Sequence, residues 1–140
     1  MTAAKNSDAF VFFGATGDLA YKTIFPALQA MIIDGVLDMP IIGIARPGWT
    51  LDKLRDHAKA SLTEHGTLDE KAFAKLSKQM RFIGGDYNDP KTFTALKEAL
   101  KDSQRPIHYL AIPPSLFGSV VKGLEVSGCA KGARVIVEKP

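Results

Sequence analysis

Residues 10–20 read Phe-Val-Phe-Phe-Gly-Ala-Thr-Gly-Asp-Leu-Ala, and this stretch decides the fold. The apolar run Phe10–Phe13 is short and continuous, which is typical of a strand buried on both faces of a parallel sheet. Gly14 and Gly17 then break the chain, and apolar residues at helical spacing follow from Asp18 onwards. The stretch therefore predicts a strand, a glycine turn and a helix, in that order.

The glycine turn has the pattern G-x-x-G-x-x-A, which suits the binding of a pyrophosphate. Such a turn needs glycines that let the backbone approach the ligand, and a helix start whose free N–H groups favour negative charge. Gly14 and Gly17 can supply the turn and the approach, and Ala20 can supply close packing of helix on strand. The alternative is a plain tight turn in which Thr16 or Asp18 caps the helix. Because a carboxylate would repel a bound phosphate, the pyrophosphate interpretation has Asp18 cap the helix through backbone N–H groups while it faces away from the ligand.

Strands and helices alternate along the rest of the chain, which predicts a parallel sheet with right-handed crossovers. The further strands are predicted at Ile41–Ala45, Arg81–Ile83, Ile107–Ile112 and Val135–Val137. We expect an α/β, doubly wound, Rossmann-like fold with about five strands in the order 3-2-1-4-5. At 140 residues the chain has the length of one domain, so residues 1–140 are interpreted as a single domain.

Several residues indicate where helices begin or change. Pro26 is expected to kink or restart the first helix, because proline cannot donate a backbone hydrogen bond. Thr50, Asp89 and Ser115 are predicted helix caps, and Pro90 fits the first turn of the helix that Asp89 begins.

Arg46 stands directly after the second predicted strand, where a dinucleotide-binding sheet meets the adenosine ribose. An acidic residue there accepts the 2′-hydroxyl of NAD, whereas an arginine accommodates the extra phosphate of NADP. A guanidinium can grip that phosphate with two hydrogen bonds. Arg46 thus favours NADP, although an ordinary surface arginine paired with a nearby acid is the alternative.

The composition is that of a globular domain, with 46% hydrophobic and 24% charged residues and a formal net charge of +3. Basic and acidic residues are interspersed, which is typical of solvated helix faces, so we predict no nucleic-acid partner. The single cysteine, Cys129, suits a reducing compartment. No signal peptide or membrane span is evident, the cytoplasm is the expected location, and no metal site is predicted.

Three blocks of this sequence resemble glucose-6-phosphate dehydrogenases. They are Gly14–Ala20 with Pro26 downstream, the Tyr-Leu-Ala-Ile-Pro-Pro run over Tyr109–Pro114, and the Val-Glu-Lys-Pro run over Val137–Pro140. The resemblance covers nearly the whole chain but only about the first third of the family's usual length. It implies an NADP-dependent dehydrogenase that oxidises glucose 6-phosphate to 6-phosphogluconolactone, opens the oxidative pentose phosphate pathway and forms homo-oligomers.

The resemblance also implies roles for individual residues. The pyrophosphate would be held by Gly14, Ala15, Thr16, Gly17, Asp18, Leu19, Ala20 and Tyr21. Arg46 would contact the 2′-phosphate, and Asp86 and Tyr87, ending the third strand, would lie near the adenosine half. Lys139 would lie between nicotinamide and substrate, with Pro140 shaping that pocket. The alternatives are a loop cap for Asp86, packing for Tyr87 and a solvated strand end for Lys139.

Two departures from the family bear on activity. Thr23 stands where many members have a further lysine, so Lys22 cannot simply take its role. The family's His-Tyr-Leu-Gly-Lys segment and its catalytic histidine have no match in this sequence, and His57, His65 and His108 fall on a surface helix or in a buried strand. We therefore expect the 140-residue chain, as the front part of a longer enzyme, to bind NADP without oxidising the sugar phosphate.

Two other functions fit part of the pattern. A non-catalytic NADP sensor would share the glycine turn and Arg46, but it has no need of a cation such as Lys139 at the nicotinamide end. A short-chain-type reductase would share the Gly-Ala-Thr-Gly opening. That class needs a Tyr-x-x-x-Lys pair, and Tyr109 is followed four residues later by Pro113, so it is the weakest of the three.

Overall fold

The structure is a computed structural model that describes residues 7–35, 37–65 and 67–137. Its strands are β1 (Ala9–Phe13), β2 (Ile41–Ala45), β3 (Met80–Gly84), β4 (Pro106–Leu110) and β5 (Arg134–Val137). They form one sheet in the order β3-β2-β1-β4-β5, and every neighbouring pair is parallel. The predicted order and the doubly wound class are confirmed.

Helices cover both faces of the sheet. They are α1 (Phe25–Ile33), α2 (Leu51–His65), α3 (Glu70–Gln79), α4 (Pro90–Ala99) and α5 (Phe117–Ser127). Alternate residues of β1 belong to opposite faces: Phe10 and Phe12 pack with α1, α2 and α3, whereas Val11 and Phe13 pack with α4 and α5. Because β1 is buried on both faces, its apolar run is continuous rather than alternating.

The first helix changes type beside Pro26, where a kink or restart was predicted, and α1 begins at Phe25. A π-helical turn over Ala20–Ile24 comes first, in which the Phe25 N–H donates to the Ala20 carbonyl, five residues back. Pro26 has no N–H to continue this pattern and occupies the first turn of α1. The Tyr21 carbonyl, five residues before Pro26, accepts instead from the buried Ser61 hydroxyl of α2.

Two of the three predicted helix caps are confirmed. The Thr50 hydroxyl accepts from the Lys53 N–H at 3.1 Å, and the Asp89 carboxylate accepts from the Lys91 N–H at 2.9 Å. The Ser115 cap is wrong, because Ser115 lies inside a 3₁₀ turn over Pro114–Leu116 and α5 begins at Phe117 without a side-chain cap.

Strand β4 ends at Leu110, two residues before the predicted end. Leu110 pairs with Phe13, and β1 stops there because the chain turns away at Gly14. At the other side of the sheet, β3 extends to Gly84, so Asp86 and Tyr87 follow this strand rather than end it. Within the described residues, no helix has the length and apolar character needed to cross a membrane.

Candidate cofactor-binding site

The carboxyl ends of the parallel strands bring the predicted site residues to one edge of the sheet. Backbone hydrogen bonds join this edge: the Gly14 N–H donates to the Ile44 carbonyl at 2.9 Å, and the Gly85 N–H donates to the Ala45 carbonyl at 2.9 Å. The glycine turn, the Arg46 loop and the segment with Asp86 and Tyr87 therefore adjoin one another. This is the edge at which doubly wound sheets bind ligands.

Gly14 is required by the backbone itself. Its φ is +84°, a conformation that residues with a side chain rarely adopt. A Cβ at this position would lie 2.2 Å from the Ala111 carbonyl oxygen, at the start of the segment that follows β4. The glycine thus allows β1 to turn sharply against its neighbouring strand.

Gly17 is different, because the protein does not need a glycine there for its own fold. Its φ is not positive, and a Cβ would meet the Gly14 carbonyl oxygen at an acceptable 3.4 Å. The residue is exposed, at the opening of the first helix. A missing side chain at such a point leaves room for a ligand to approach the backbone.

The helix that starts after Gly17 directs free N–H groups at the turn. The Tyr21 N–H donates to the Gly17 carbonyl at 3.2 Å, so residues 18–20 form the first turn, whose N–H groups have no helical acceptor. Ala15 and Ala20 are fully buried, which seats the helix closely on the sheet. Leu19 is half-buried against the same core.

Thr16 and Asp18 do not act as helix caps. In the described part of the chain, neither side chain makes a hydrogen bond to the helix N–H groups. Asp18 is exposed, and its charge acts on His57 of α2. The predicted Asp18 cap is therefore wrong for the plain turn and for the pyrophosphate interpretation alike, and the exposed Asp18 leaves the choice between them to the rest of the site.

Tyr87 stabilises the glycine turn through hydrogen bonds of its hydroxyl. Its hydroxyl accepts from the Gly14 N–H at 2.8 Å and donates to the Ile44 carbonyl at 3.3 Å, while its ring packs edge-on against Phe13 at 5.7 Å. Burial raises the pKa of Tyr87, against the opposing effects of the Gly14 N–H and of the Arg46 charge. The packing alternative for Tyr87 therefore holds, and the same side chain also contacts the predicted phosphate site.

Arg46 is exposed immediately after β2, and its charge reaches the Tyr87 hydroxyl. It forms no ion pair with any carboxylate among residues 7–35, 37–65 and 67–137. The alternative of a surface arginine paired with a nearby acid is thus unsupported, and the guanidinium is open to a ligand.

Asp86 caps its own loop. Its carboxylate accepts from the Asn88 N–H at 2.7 Å, and its carbonyl accepts from the Thr92 hydroxyl at 2.7 Å. The loop-cap alternative for Asp86 therefore holds. The residue still lies at the sheet edge beside the glycine turn.

Some of the residues predicted at the substrate end of the site lie outside the described residues. These residues are Lys139 and Pro140. Lys22 is exposed, and the Thr23 hydroxyl donates to the Leu19 carbonyl at 2.7 Å within the helix. His108 is fully buried, and its Nε2 donates to the Cys129 carbonyl at 2.9 Å, so it is packed in place as predicted.

Sequence reasoning missed an aromatic stack beside the turn. His57 was predicted on a surface helix, but its ring lies 4.8 Å from Tyr21 and 5.0 Å from Trp49. The Tyr21 hydroxyl donates to the Glu64 carboxylate at 2.5 Å. These residues are up to 43 positions apart, and no local pattern of residue types signals their contact.

A sizeable cavity lies away from the glycine turn, between α4 and α5. It has a volume of about 630 Å³, with Phe93, Gly123 and Val126 in its walls. Tyr87, whose hydroxyl accepts from the Gly14 N–H, is also one of its lining residues.

Comparison with known proteins gives a consistent result. Residues 11–140 match the family model described as glucose-6-phosphate dehydrogenase, NAD binding domain. Glucose-6-phosphate 1-dehydrogenase 1 of Mycobacterium tuberculosis is 36% identical over 134 residues, which are 96% of this chain and 29% of that protein. The chain thus spans less than a third of the length of this curated relative.

Solved structures agree with this match. The crystal structure of glucose-6-phosphate 1-dehydrogenase from Mycobacterium avium superposes with a TM-score of 0.91 at 40% identity, over 96% of this chain and 30% of that one. A glucose-6-phosphate dehydrogenase in complex with its substrate glucose 6-phosphate superposes with a TM-score of 0.82 at 32% identity, over 96% and 31% of the two chains. A short-chain dehydrogenase/reductase from Veillonella parvula, at 17% identity and a TM-score of 0.50, shares the fold alone.

Proposed function

Since the chain belongs to the glucose-6-phosphate dehydrogenase family, matching its NAD binding domain, we propose that it binds NADP at the glycine turn and Arg46. Gly14–Tyr21 form the pyrophosphate part of this site, and Arg46 takes the 2′-phosphate. Tyr87 and Asp86 form the wall beside the adenosine, and the resemblance to the family gives Lys139, outside the described residues, a role at the nicotinamide. One observation carries the proposal: an open helix start shares a sheet edge with a guanidinium that has no carboxylate partner among the described residues.

Charge and geometry support NADP over NAD. The pyrophosphate is drawn to the helix start by the dipole and the free N–H groups of the first turn. The 2′-phosphate of NADP adds a dianionic group that Arg46 can bind with two charge-assisted hydrogen bonds. NAD offers only a hydroxyl there, and no acidic residue follows β2 to accept it.

The reaction of the whole protein is also a proposal, since the relatives are about three times longer than this chain. We propose oxidation of glucose 6-phosphate to the lactone, with hydride transfer to NADP, in a homo-oligomer in the cytoplasm. In this reaction the residues of this chain bind and orient the cofactor. Bound NADP supplies the hydride acceptor, and neither buried His108 nor the stacked His57 is placed to take a proton from a sugar hydroxyl.

A thermal-shift titration of the 140-residue chain tests cofactor binding. Ligands that bind the folded state raise its apparent stability with the logarithm of their concentration. NADP is expected to act at the lowest concentration, NAD weakly and glucose 6-phosphate not at all. Turnover of the sugar phosphate above a control without protein would contradict the proposal that the residues of this chain only bind and orient the cofactor.

The variant Arg46→Ala tests the choice of cofactor. Loss of a charge-assisted pair should weaken NADP binding by about tenfold to one-hundredfold, with NAD nearly unchanged. Arg81→Ala is the matched control, because Arg81 is an exposed arginine at the opposite end of a strand, where it bonds the Lys78 and Met80 carbonyls. Equal losses for NADP and NAD in Arg46→Ala would remove Arg46 from the proposed role.

A further inference from the structure

The loop that carries Arg46 leads from the end of β2 to the start of α2. It runs from the end of β2 through Pro47 and Gly48, whose φ is +110°, to Trp49. Pro47 and Trp49 share an isolated bridge, and Trp49 is half-buried whereas residues 46–48 are exposed. Trp49 is the first residue after β2 that is not exposed, so its packing holds the end of the loop opposite β2.

Trp49 is held by His57 of α2. The two rings meet edge to face, with centroids 5.0 Å apart and an angle of 89°. The His57 ring also contacts Tyr21 at 4.8 Å and the edge of Phe25 at 5.9 Å. Edge-to-face and tilted aromatic pairs of this kind add to stability beyond the area that they bury.

The imidazole is held by packing rather than by hydrogen bonding. His57 Nε2 is buried and has no hydrogen-bond partner within the described residues. Burial lowers the pKa of His57, with the Asp18 charge acting in the opposite direction, so the ring is neutral near pH 7. A buried ring nitrogen without a partner costs stability, and the contacts with the surrounding rings offset that cost.

The other end of the stack is tied to the phosphate turn. Tyr21 directly follows Ala20 in the π-helical turn, and its hydroxyl donates to Glu64 at 2.5 Å. Its carbonyl accepts from Ser61, and its ring meets His65 edge-on at 5.3 Å. Tyr21 is thus fixed on α2, and the stack Trp49–His57–Tyr21 joins the Arg46 loop to the helix that begins at the glycine turn.

We propose that the Trp49–His57–Tyr21 stack positions Arg46 relative to the phosphate turn, and that it thereby sets the preference for NADP over NAD. This rests on the proposed function, in which Arg46 binds the 2′-phosphate. Trp49 and His57 are positioning residues: they act through Arg46 and need not touch the cofactor. A ligand without the 2′-phosphate makes no use of Arg46, so the contact between Trp49 and His57 should not affect its binding.

Dissociation constants for NADP and NAD, measured by calorimetry on the 140-residue chain, test the inference. Trp49→Ala should weaken NADP binding about fivefold, with NAD within about twofold of the unchanged protein. Trp49→Phe keeps a ring edge against His57 and should keep the NADP to NAD ratio. Phe73→Ala truncates another half-buried aromatic side chain, in α3 and outside the stack, and is the matched control.

His57→Leu provides a variant that folds if Trp49→Ala does not. Leucine has similar bulk, suits an apolar setting and loses no hydrogen bond at Nε2, yet it removes the ring that Trp49 packs against. It should lower NADP affinity about as much as Trp49→Ala does. In an Arg46→Ala background, His57→Leu should have no further effect on NADP, because the stack would then have nothing left to position.

The outcomes separate this inference from the proposed function. Should Arg46→Ala lower the NADP to NAD ratio while folded Trp49→Ala and His57→Leu leave it unchanged, the positioning role is wrong and the proposed site stands. Should the stack variants weaken NADP and NAD equally, their role is general stability and the inference also fails. An unchanged ratio in Arg46→Ala itself would overturn the proposed function.

Discussion

Gly14 and Gly17 look alike in the sequence, but the structure needs them for different reasons. Gly14 has a positive φ, and a side chain there would collide with the Ala111 carbonyl. Gly17 has ordinary backbone angles and room for a Cβ. The fold therefore requires a glycine at position 14, whereas the glycine at position 17 is explained by the approach of a ligand.

Alanine at each position separates the two roles. Gly14→Ala should lower the free energy of unfolding by at least about 2 kcal/mol, because it combines strain with a steric clash. Gly17→Ala should change the free energy of unfolding by no more than about 0.5 kcal/mol. It should still weaken NADP binding, because the added methyl group would occupy space that the pyrophosphate needs. Chemical denaturation and calorimetric titration of both variants measure this, and a Gly17→Ala chain with full NADP affinity would contradict the assignment.

The residues of the turn were predictable because glycine and proline signals are local. Gly14, Gly17, Ala20 and Arg46 could each be placed from their neighbours in sequence. Tyr87 could not be placed under the turn in this way, because its bond to Gly14 joins residues 73 positions apart. Such contacts depend on the register of the finished sheet, which single residues do not reveal.

Within the first helix, Pro26 leaves a gap in the hydrogen bonding that another helix closes. The Tyr21 carbonyl is the acceptor that a π-helical N–H at position 26 would have bonded, and the fully buried Ser61 hydroxyl takes that place. This contact fastens α2 to the helix that begins at the glycine turn. Sequence analysis predicted the interruption at Pro26 but not its closure, because Ser61 lies 35 positions further along the chain.

Ser61→Ala should therefore lower the free energy of unfolding by about 0.5–1.5 kcal/mol, the net contribution of a typical hydrogen bond, because this part-buried bond is lost. Thr63→Ala is the control on the same helix, since the Thr63 hydroxyl is exposed and donates only to the Lys59 carbonyl. In a Pro26→Ala background residue 26 has an N–H again, so the cost of Ser61→Ala should shrink. Equal costs in both backgrounds, from urea denaturation, would contradict the link between Ser61 and Pro26.

Some helix and strand boundaries follow from the local sequence, and others are set by neighbouring elements of the fold. Thr50 and Asp89 cap helices as predicted because their bonds are local. Ser115 does not, because the two prolines before it lead into a 3₁₀ turn and α5 starts later. Strand β4 is shorter than predicted because its neighbour β1 ends at Phe13.

For the molecule as a whole, the alternation of strands and helices was enough to predict the sheet order. A right-handed crossover after each strand leaves few arrangements, and the break after β1 favours the observed order. The division into domains stays a prediction, and we propose that residues 1–140 fold as one unit. A single cooperative transition, seen alike by different probes, is the expected result.

Two histidines, one on each face of the sheet, predict how stability depends on pH. Burial lowers the pKa of His57 and of His108, the latter against the effect of its bond to the Cys129 carbonyl. As pH falls below about 6.5, the unfolded chain takes up protons before the folded chain does, so the free energy of unfolding falls. Each histidine contributes a slope of at most about 1.4 kcal/mol per pH unit, until its folded pKa is passed.

Urea denaturation between pH 7.5 and about pH 5 checks this. His57→Leu should reduce the dependence of the free energy of unfolding on pH, and the part that comes from His108 should remain. Stability that rises as pH falls over this range would show that the folded chain binds protons more readily than the unfolded one, against the expected sign.

The central claim is that the helix start at residues 14–18 and Arg46 together bind the phosphates of NADP. A crystal structure of this chain grown with NADP tests it most directly. We expect the pyrophosphate oxygens to accept from the free N–H groups of the first helical turn, residues 18–20, with the 2′-phosphate on the Arg46 guanidinium. Phosphates bound elsewhere, for example in the cavity between α4 and α5, with the glycine turn empty, would contradict the account.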